Sequence, residues 1–487
     1  MKKFLLICFF ILLAPRTVAA FSLSDSFSGK TVGVQIGTSG DMLASEAEGV
    51  NVERYNKLND AIQSLLNKKI DAVLSDEAPA SVFVNDNKQL YILQGGFEKE
   101  EYAIAIAKNN NALKEQINAA LEKLKENKTL ENIVKNYIGN DTVGKFPYVS
   151  PDGIQYDGVL KIATNATFPP YEFYDNGKIT GIDVDIARAV GDLLGKKAVF
   201  EDMEFDAIIA AVHSGKAHIG VAGMTVTPER LKNINFSIPY TTSKQVIILR
   251  SSENTAAAGM TFADRFRRDF ITDARWKYLS TGLLHTLVIT VLSGVIGVIF
   301  GGLIAIVRVS HDKNGSFVPL NFLCRAYLTL IRGTPVMIQL LIMYYVVFSS
   351  VGIDKIFVAV LAFGLNSSAY VAEIIRSGIM SVDAGQFEAG RSLGLTFSQT
   401  MRFVVLPQAF KNVLPALANE FIVLLKETSV CGYIGLMDLT RGGDIIRSIT
   451  YDAFLPLAAV ALIYLTFVLA LTSLTGRLEQ RLKKNER

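Results

Sequence analysis

Residues 159–195, VLKIATNATFPPYEFYDNGKITGIDVDIARAVGDLLG, change their hydrophobic period three times. Leu160–Thr164 is a short apolar run of strand type, and Pro169 and Pro170 stop it. Asn176-Gly177 is a two-residue hairpin signal, and Asp183–Leu194 is an amphipathic helix. Residues 203–240, MEFDAIIAAVHSGKAHIGVAGMTVTPERLKNINFSIPY, repeat the helix-then-strand rhythm. Such alternation implies an α/β lobe with a parallel sheet, whose ligands sit beyond the carboxyl ends of its strands. At one such end lies VAGMTVTPER, residues 221–230. There Gly223 permits close backbone approach, Thr225 offers a hydroxyl, and Arg230 offers a planar fork that fits a carboxylate.

Upstream, KTVGVQIGTSG (residues 30–40) places a buried strand, with Val32, Val34 and Ile36, before a Gly-Thr-Ser-Gly turn. That turn is suited to holding an anion or polar group on backbone N–H groups. IDAVLSDEAP, from Ile70, is a further strand end and carries Asp76.

The whole chain cannot be soluble. It has 487 residues, half of them apolar, and a mean hydropathy of +0.31, too long for one domain and too apolar for water alone. Residues 21–280 are rich in Lys, Glu, Asp and Asn, whereas 281–476 hold long runs with few charges. Residues 1–20, MKKFLLICFFILLAPRTVAA, have a basic start, a short apolar run and small residues before Phe21, the layout of a signal peptide. A membrane anchor is the alternative, although the run is shorter than the ~20 residues of a span. Of three cysteines, Cys8 lies in this leader and Cys324 and Cys431 in the apolar half, so no disulfide is expected in the soluble region. A net charge of +3 gives no case for nucleic acid.

Five segments can span a bilayer, at about 281–307, 335–351, 356–375, 408–425 and 454–475. Arg308, Lys313, Arg325 and Arg332 follow the first; Arg376, Arg391, Arg402 and Lys411 follow the third. The tail holds Arg477, Arg481, Lys483, Lys484 and Arg487, while the alternate loops hold only Lys355 and the pair Arg441 and Arg447. The positive-inside rule puts the tail in the cytoplasm, and an odd number of spans puts residue 280 outside. Asn366, Ser367, Ser368, Tyr370, Glu373, Asn419, Glu420, Lys426 and Glu427 fall at or near membrane depth. They either line a substrate path or tie helices together.

In the loop after the third span, EAGRSLGLTFSQTMRFVVLPQA (388–409) carries Glu388, Ala389, Gly390, then Gly394, then Val404, Leu406 and Pro407. This pattern resembles the loop by which permease subunits of ABC importers dock on their ATPase. Only Gly390 departs, where alanine is usual. LIRGTPVMIQL from Leu330 and AYVAEIIRSGI from Ala369 also resemble the polar amino-acid branch of these permeases. No phosphate-cradling G-x-x-x-x-G-K-[ST] occurs in the chain. The resemblance therefore implies that ATP and Mg2+ belong to a separate ATPase subunit, with no cofactor, metal site or catalytic residue in this chain.

The soluble half resembles the extracytoplasmic binding proteins for polar amino acids, with the lobes in inverted order. Carried over residue by residue, Asn165, Phe168 and Phe205 contact or sandwich the ligand. Ala222 and Gly223 offer backbone groups, and Thr225 with Arg230 hold the α-carboxylate. From the family's second lobe, here placed first, Asp76 takes the ammonium, and Gln35, Thr38 and Ser39 grasp from the same side. EEYAIAIAK from Glu100 resembles the strand returning to the first lobe, and Leu113–Gly139 the closing helices.

The expected architecture is an α/β two-lobed domain like the type II periplasmic binding proteins, circularly permuted, followed by an all-α five-span importer domain. Its segments are the leader (1–20), the second lobe (21–97), then the return strand, closing helices, linker and first lobe (98–250). A tether (251–277), a permease (278–476) with its coupling loop (380–409), and a basic tail (477–487) complete it. A rival arrangement pairs each half-receptor with one on a neighbouring subunit. The expected function is capture and import of a polar L-amino acid by a multi-pass membrane protein with its receptor outside. The expected partners are the amino acid, the ATPase, lipid and a second permease copy. Neutral Asn165 and Gln35 favour glutamine or another uncharged ligand, while Glu172 and Glu204 keep basic ligands open. The rivals from other classes are a ligand-gated channel, which needs a carbonyl-lined filter that is not visible, and a membrane sensor, which needs a signalling domain after Arg477.

Overall fold

A computed structural model describes residues 23–94, 97–139, 141–175, 177–251, 261–348, 353–450 and 452–484. The leader, Asn176 of the expected hairpin and residues 252–260 of the tether lie outside them.

Two α/β lobes are built from one chain. Lobe I carries the sheet Lys196–Asp202, Gly158–Thr164, Ile219–Gly220, Ala105–Ala107, Ile234–Phe236; its first three strands run parallel. Lobe II carries Asn51–Tyr55, Thr31–Gln35, Ala72–Asp76, Thr241–Arg250, Leu90–Leu93, and again the first three are parallel. Ala72–Asp76 is buried along its whole length, as a strand covered on both faces must be.

The chain crosses between lobes twice. Lys99–Tyr102 leads from lobe II into the Ala105–Ala107 strand of lobe I, and Thr241–Arg250 returns. The two crossings pair with each other, Thr241 opposite Tyr102 through Lys244 opposite Lys99. The expected 98–250 segment therefore does not stay in the first lobe: Gln245–Ile248 pair with Ala72–Asp76 of lobe II. The helices Asn111–Glu126 and Thr129–Tyr137 close the back of lobe I. Asn110 caps the first of them, accepting from Leu113 N–H at 3.2 Å, and Leu113, Ile117, Leu121 and Leu124 bury one helical stripe.

Among the described residues of the apolar half, three helices are long and apolar enough to cross a membrane: Trp276–Asn314, Lys355–Met380 and Phe454–Arg481. The pair Val318–Gly333 and Val336–Val347, bent by 106°, makes a fourth if it is one span. The expected fourth segment lies in the helix Leu406–Glu427, which has the length but carries Lys411, Glu420, Lys426 and Glu427 and an internal Pro415. The first and third of the expected spans pack closely through small residues. A methyl on Gly364 would come 2.6 Å from Ile296 Cγ2, and one on Gly301 2.8 Å from Ser368 O.

Candidate functional site

Both lobes offer strand ends to the same crevice, because parallel strands in each sheet point their carboxyl ends at the other lobe. Gln35 and Asp76 end strands of lobe II. Asn165 follows Gly158–Thr164 in lobe I, Phe205 follows Lys196–Asp202, and Ala222 and Gly223 follow Ile219–Gly220. With Thr38, Ser39, Phe168, Thr225 and Arg230 they line one cavity, so all eleven residues expected from the sequence meet in one place. The lobes are closed on it, leaving about 10 Å3, room for roughly one water.

Arg230 is the hub. Its Nη1 donates to Thr225 O at 2.7 Å, and its Nη2 crosses the crevice to Gly37 O at 2.7 Å. The guanidinium lies over the Phe205 ring, 5.4 Å from its centroid. Phe205 thus supports the arginine, while Phe168 stacks on Tyr171. Burial lowers the Arg230 pKa, opposed by the charges of Glu100 and Asp76. Gly223 is held at φ +52° with its N–H donating to Asp183 Oδ2 at 2.6 Å, and a Cβ there would come 3.0 Å from Phe168 Cε1. Only glycine takes both the φ and the space readily.

Asp76 accepts from Gln245 Nε2 at 3.0 Å. Burial, and then the charge of Glu100, push its pKa from an ordinary 3.8 up to about 7. The amides of Gln35 and Asn165 face across the crevice, Nε2 to Oδ1 at 3.4 Å.

The Gly-Thr-Ser-Gly loop differs in part from its expected use. The Gly37 N–H donates to Asp41 Oδ2 and the Thr38 N–H to Gln35 O. The Thr38 hydroxyl donates to Gln35 O and accepts from Asp41 N–H as the cap of helix Ser39–Glu46. Thr38 shapes the crevice with its hydroxyl already engaged.

Sequence reasoning missed Glu100 as a site residue. Its Oε2 accepts from Ser39 Oγ at 2.6 Å and Thr225 Oγ1 at 2.7 Å, one hydroxyl from each lobe. Its place on the lobe-crossing strand Lys99–Tyr102 was the available signal. Glu172, considered for a basic ligand, is fully buried and outside this lining, and Glu204 turns away to Arg441 at 3.0 Å.

Far from the crevice, Glu388, Ala389 and Gly390 sit on the helix Ala384–Ser392, capped by Asp383. Glu388 and Ala389 are exposed and Gly394 turns the chain at φ +84°. Gly390 is buried against Thr400, where a methyl would come 2.7 Å from Cγ2, which accounts for glycine in place of alanine. Leu393, not singled out from the sequence, is 82% exposed on the same turn.

Residues 160–430, more than half of the chain, match the bacterial extracellular solute-binding proteins, family 3. The arginine transport system permease protein ArtQ of Bacillus subtilis (strain 168) is 40% identical over 211 residues, 43% of this chain and 94% of that protein. The chain belongs to that solute-binding family and joins it to an amino-acid ABC permease. Other permease relatives are the putative glutamine transport system permease protein GlnP of Rickettsia conorii (36% identical, 43% of this chain and 94% of that protein) and the L-cystine transport system permease protein TcyB of Bacillus subtilis (36%, 44% and 91%). Among solved structures, an amino acid ABC transporter with histidines is 44% identical over 44% of this chain and 98% of that chain, with a TM-score of 0.40. In this permease with its attached receptor, the two-lobed crevice and the apolar helices lie on one polypeptide.

Proposed function

We propose that this chain is the receptor-plus-permease subunit of an ATP-driven importer for a polar L-amino acid. The observation that carries the reading is the facing pair in one closed crevice: Arg230 from lobe I for a carboxylate, Asp76 from lobe II for an ammonium. A zwitterion answers both charges and frees Arg230 from Gly37 O, so two lobes that close on it gain two charge-assisted contacts. Ser39, Thr225 and the backbone of Ala222 and Gly223 complete its hold. At the other end the amides of Gln35 and Asn165 suit a side-chain amide, so glutamine is the first ligand to try. Arginine and cystine, named in the permease relatives, are its competitors.

The receptor is read as circularly permuted. The family match opens on the first strand of lobe I and not on Thr31–Gln35, and Thr241–Arg250 ends in the lobe II sheet, which supports a cut between the region of Arg250 and that of Ser24. The permease is read as five spans with the receptor outside and the basic tail in the cytoplasm, working as a homodimer. ATP and Mg2+ are held by a partner ATPase, which grips Glu388, Ala389 and Leu393 on the helix Ala384–Ser392 and its following turn. Ser367 and Glu420, hydrogen-bonded at 3.0 Å, border an open groove of about 340 Å3 whose other walls include the exposed Val291, Val295 and Ile299, and are the first candidates for the path.

The test is titration calorimetry of the full chain, in lipid nanodiscs, with each of the twenty L-amino acids and L-cystine. One amino acid should bind, and Arg230→Ala should lose it. Equal binding by Arg230→Ala overturns the assignment.

A further inference from the structure

The helix Leu439–Thr450 follows the expected fourth span and touches both lobes of the receptor at once. On lobe I, Arg441 is buried and donates to Glu204 Oε1 at 3.0 Å and to Asp202. Just before the helix, Gly435, at φ +66°, lies so close to the Asp202 carbonyl that any Cβ would overlap it. On lobe II, Lys57 pairs with Asp444 at 3.1 Å and Arg447 with Asp60 at 2.7 Å. Lys57 and Glu204, from opposite lobes, stand 4.0 Å apart at the same spot.

These contacts sit one residue from the ligand amides. In lobe I, Asn165 Nδ2 donates to Met203 O at 2.7 Å, and Met203 lies between the two carboxylates that Arg441 holds. Asp202 Oδ1 also accepts from Ala166 N–H at 2.9 Å, beside Asn165. In lobe II, Gln35 Nε2 donates to Asn56 O at 3.2 Å, and the next residue is Lys57. Gln35 and Asn165 themselves meet across the crevice.

The geometry points to the helix Leu439–Thr450 as a closure reader, a permease element that engages the receptor's two lobes together and so tells closed from open. Opening the crevice parts Lys57 from Glu204. The helix then keeps one lobe's partners and loses the other's: either buried Arg441 is left without Asp202 and Glu204, or Asp444 loses Lys57 and keeps only Arg447 of its own helix, at 3.4 Å. A helix that prefers the closed receptor must raise ligand affinity by the same factor by which ligand raises docking. This rests on the importer reading and adds the residues that carry the message.

The test uses the full chain in lipid nanodiscs and calorimetry with each of the twenty standard L-amino acids and L-cystine. Arg441→Ala lies outside the crevice, yet the bound amino acid should bind about tenfold more weakly than to the parent. Lys57→Met and Asp444→Asn should each weaken it, and the double variant should weaken it by clearly less than the product of the two, a coupling that misfolding does not give. Parent-like affinity in Arg441→Ala, or fully additive losses in the double variant, overturns the closure reader while leaving the importer reading in place. If the parent binds none of these amino acids, both fall.

Discussion

The receptor and the membrane half are finished in opposite ways. In the receptor, chemistry is collected inward: Arg230, Asp76, Gln35 and Asn165 are all at most 6% exposed, and the lobes complete each other within one chain. In the membrane half the small residues are inside and the large apolar ones outside. Gly297, Gly301 and Gly364 bring helices together, while Phe300, Leu303, Ile306 and Leu465 are about half exposed or more. A water-facing domain has no use for such a surface, whereas a lipid-facing one does. The receptor's crevice is thus built within one chain, whereas the outer face of the membrane half is complete only in its surroundings.

The largest effect that can break this contrast is in the crevice. Arg230→Ala should weaken ligand binding by 2 kcal/mol or more, at least about thirtyfold, because it leaves a carboxylate buried without its partner; calorimetry on the full chain reads it. In the membrane half, Gly364→Leu drives a side chain into Ile296 and should cost about 1–3 kcal/mol by overpacking. It should lower the thermal midpoint of that half while leaving ligand affinity unchanged. A fall in affinity would mean that packing between the apolar helices, and not only the helix Leu439–Thr450, reaches the crevice.

Acidity gives a subtler separation. The Asp76 pKa is raised on folding, so its protonated form favours the empty receptor. That contribution is full below the ordinary 3.8 and is lost as pH rises through about 7. A ligand ammonium draws out the charged form. Affinity should therefore fall on acidification below about pH 7, by up to about tenfold per unit. Asp76→Asn should bind weakly with a flat profile over pH 5–8. The smallest effect belongs to the helix Ala384–Ser392, where Gly390→Ala pushes on the buried Thr400 and should cost about 1 kcal/mol, the low end of overpacking, since only one methyl is added.

The crevice was legible in the sequence because each of its motifs sits where a strand stops, and strand ends carry their own turn chemistry: VAGMTVTPER and LSDEAP need no distant partner to be recognised. Glu100 was not legible, since a carboxylate in a charged run, EKEEY, reads as solvated until Ser39 and Thr225 are brought to it from 61 and 125 residues away. Thr241–Arg250 was assigned to the wrong lobe for a similar reason. Its apolar residues fit either sheet, and only pairing with Ala72–Asp76 decides between them. Arg441 counted only as a charge on an outer loop, because its carboxylates lie 237 and 239 positions earlier.

The strand Thr241–Arg250 is at once a lobe crossing, a member of the lobe II sheet and, among the described residues, the last strand before the first long apolar helix. Lobe II is consequently continuous with the membrane helices through the peptide chain. Lobe I meets them through side chains, Arg441 on Asp202 and Glu204 and Lys355 on Glu201 among them. One lobe is thus tied to the permease by covalent bonds and the other by charges, so salt and acidity can loosen the second tie and never the first.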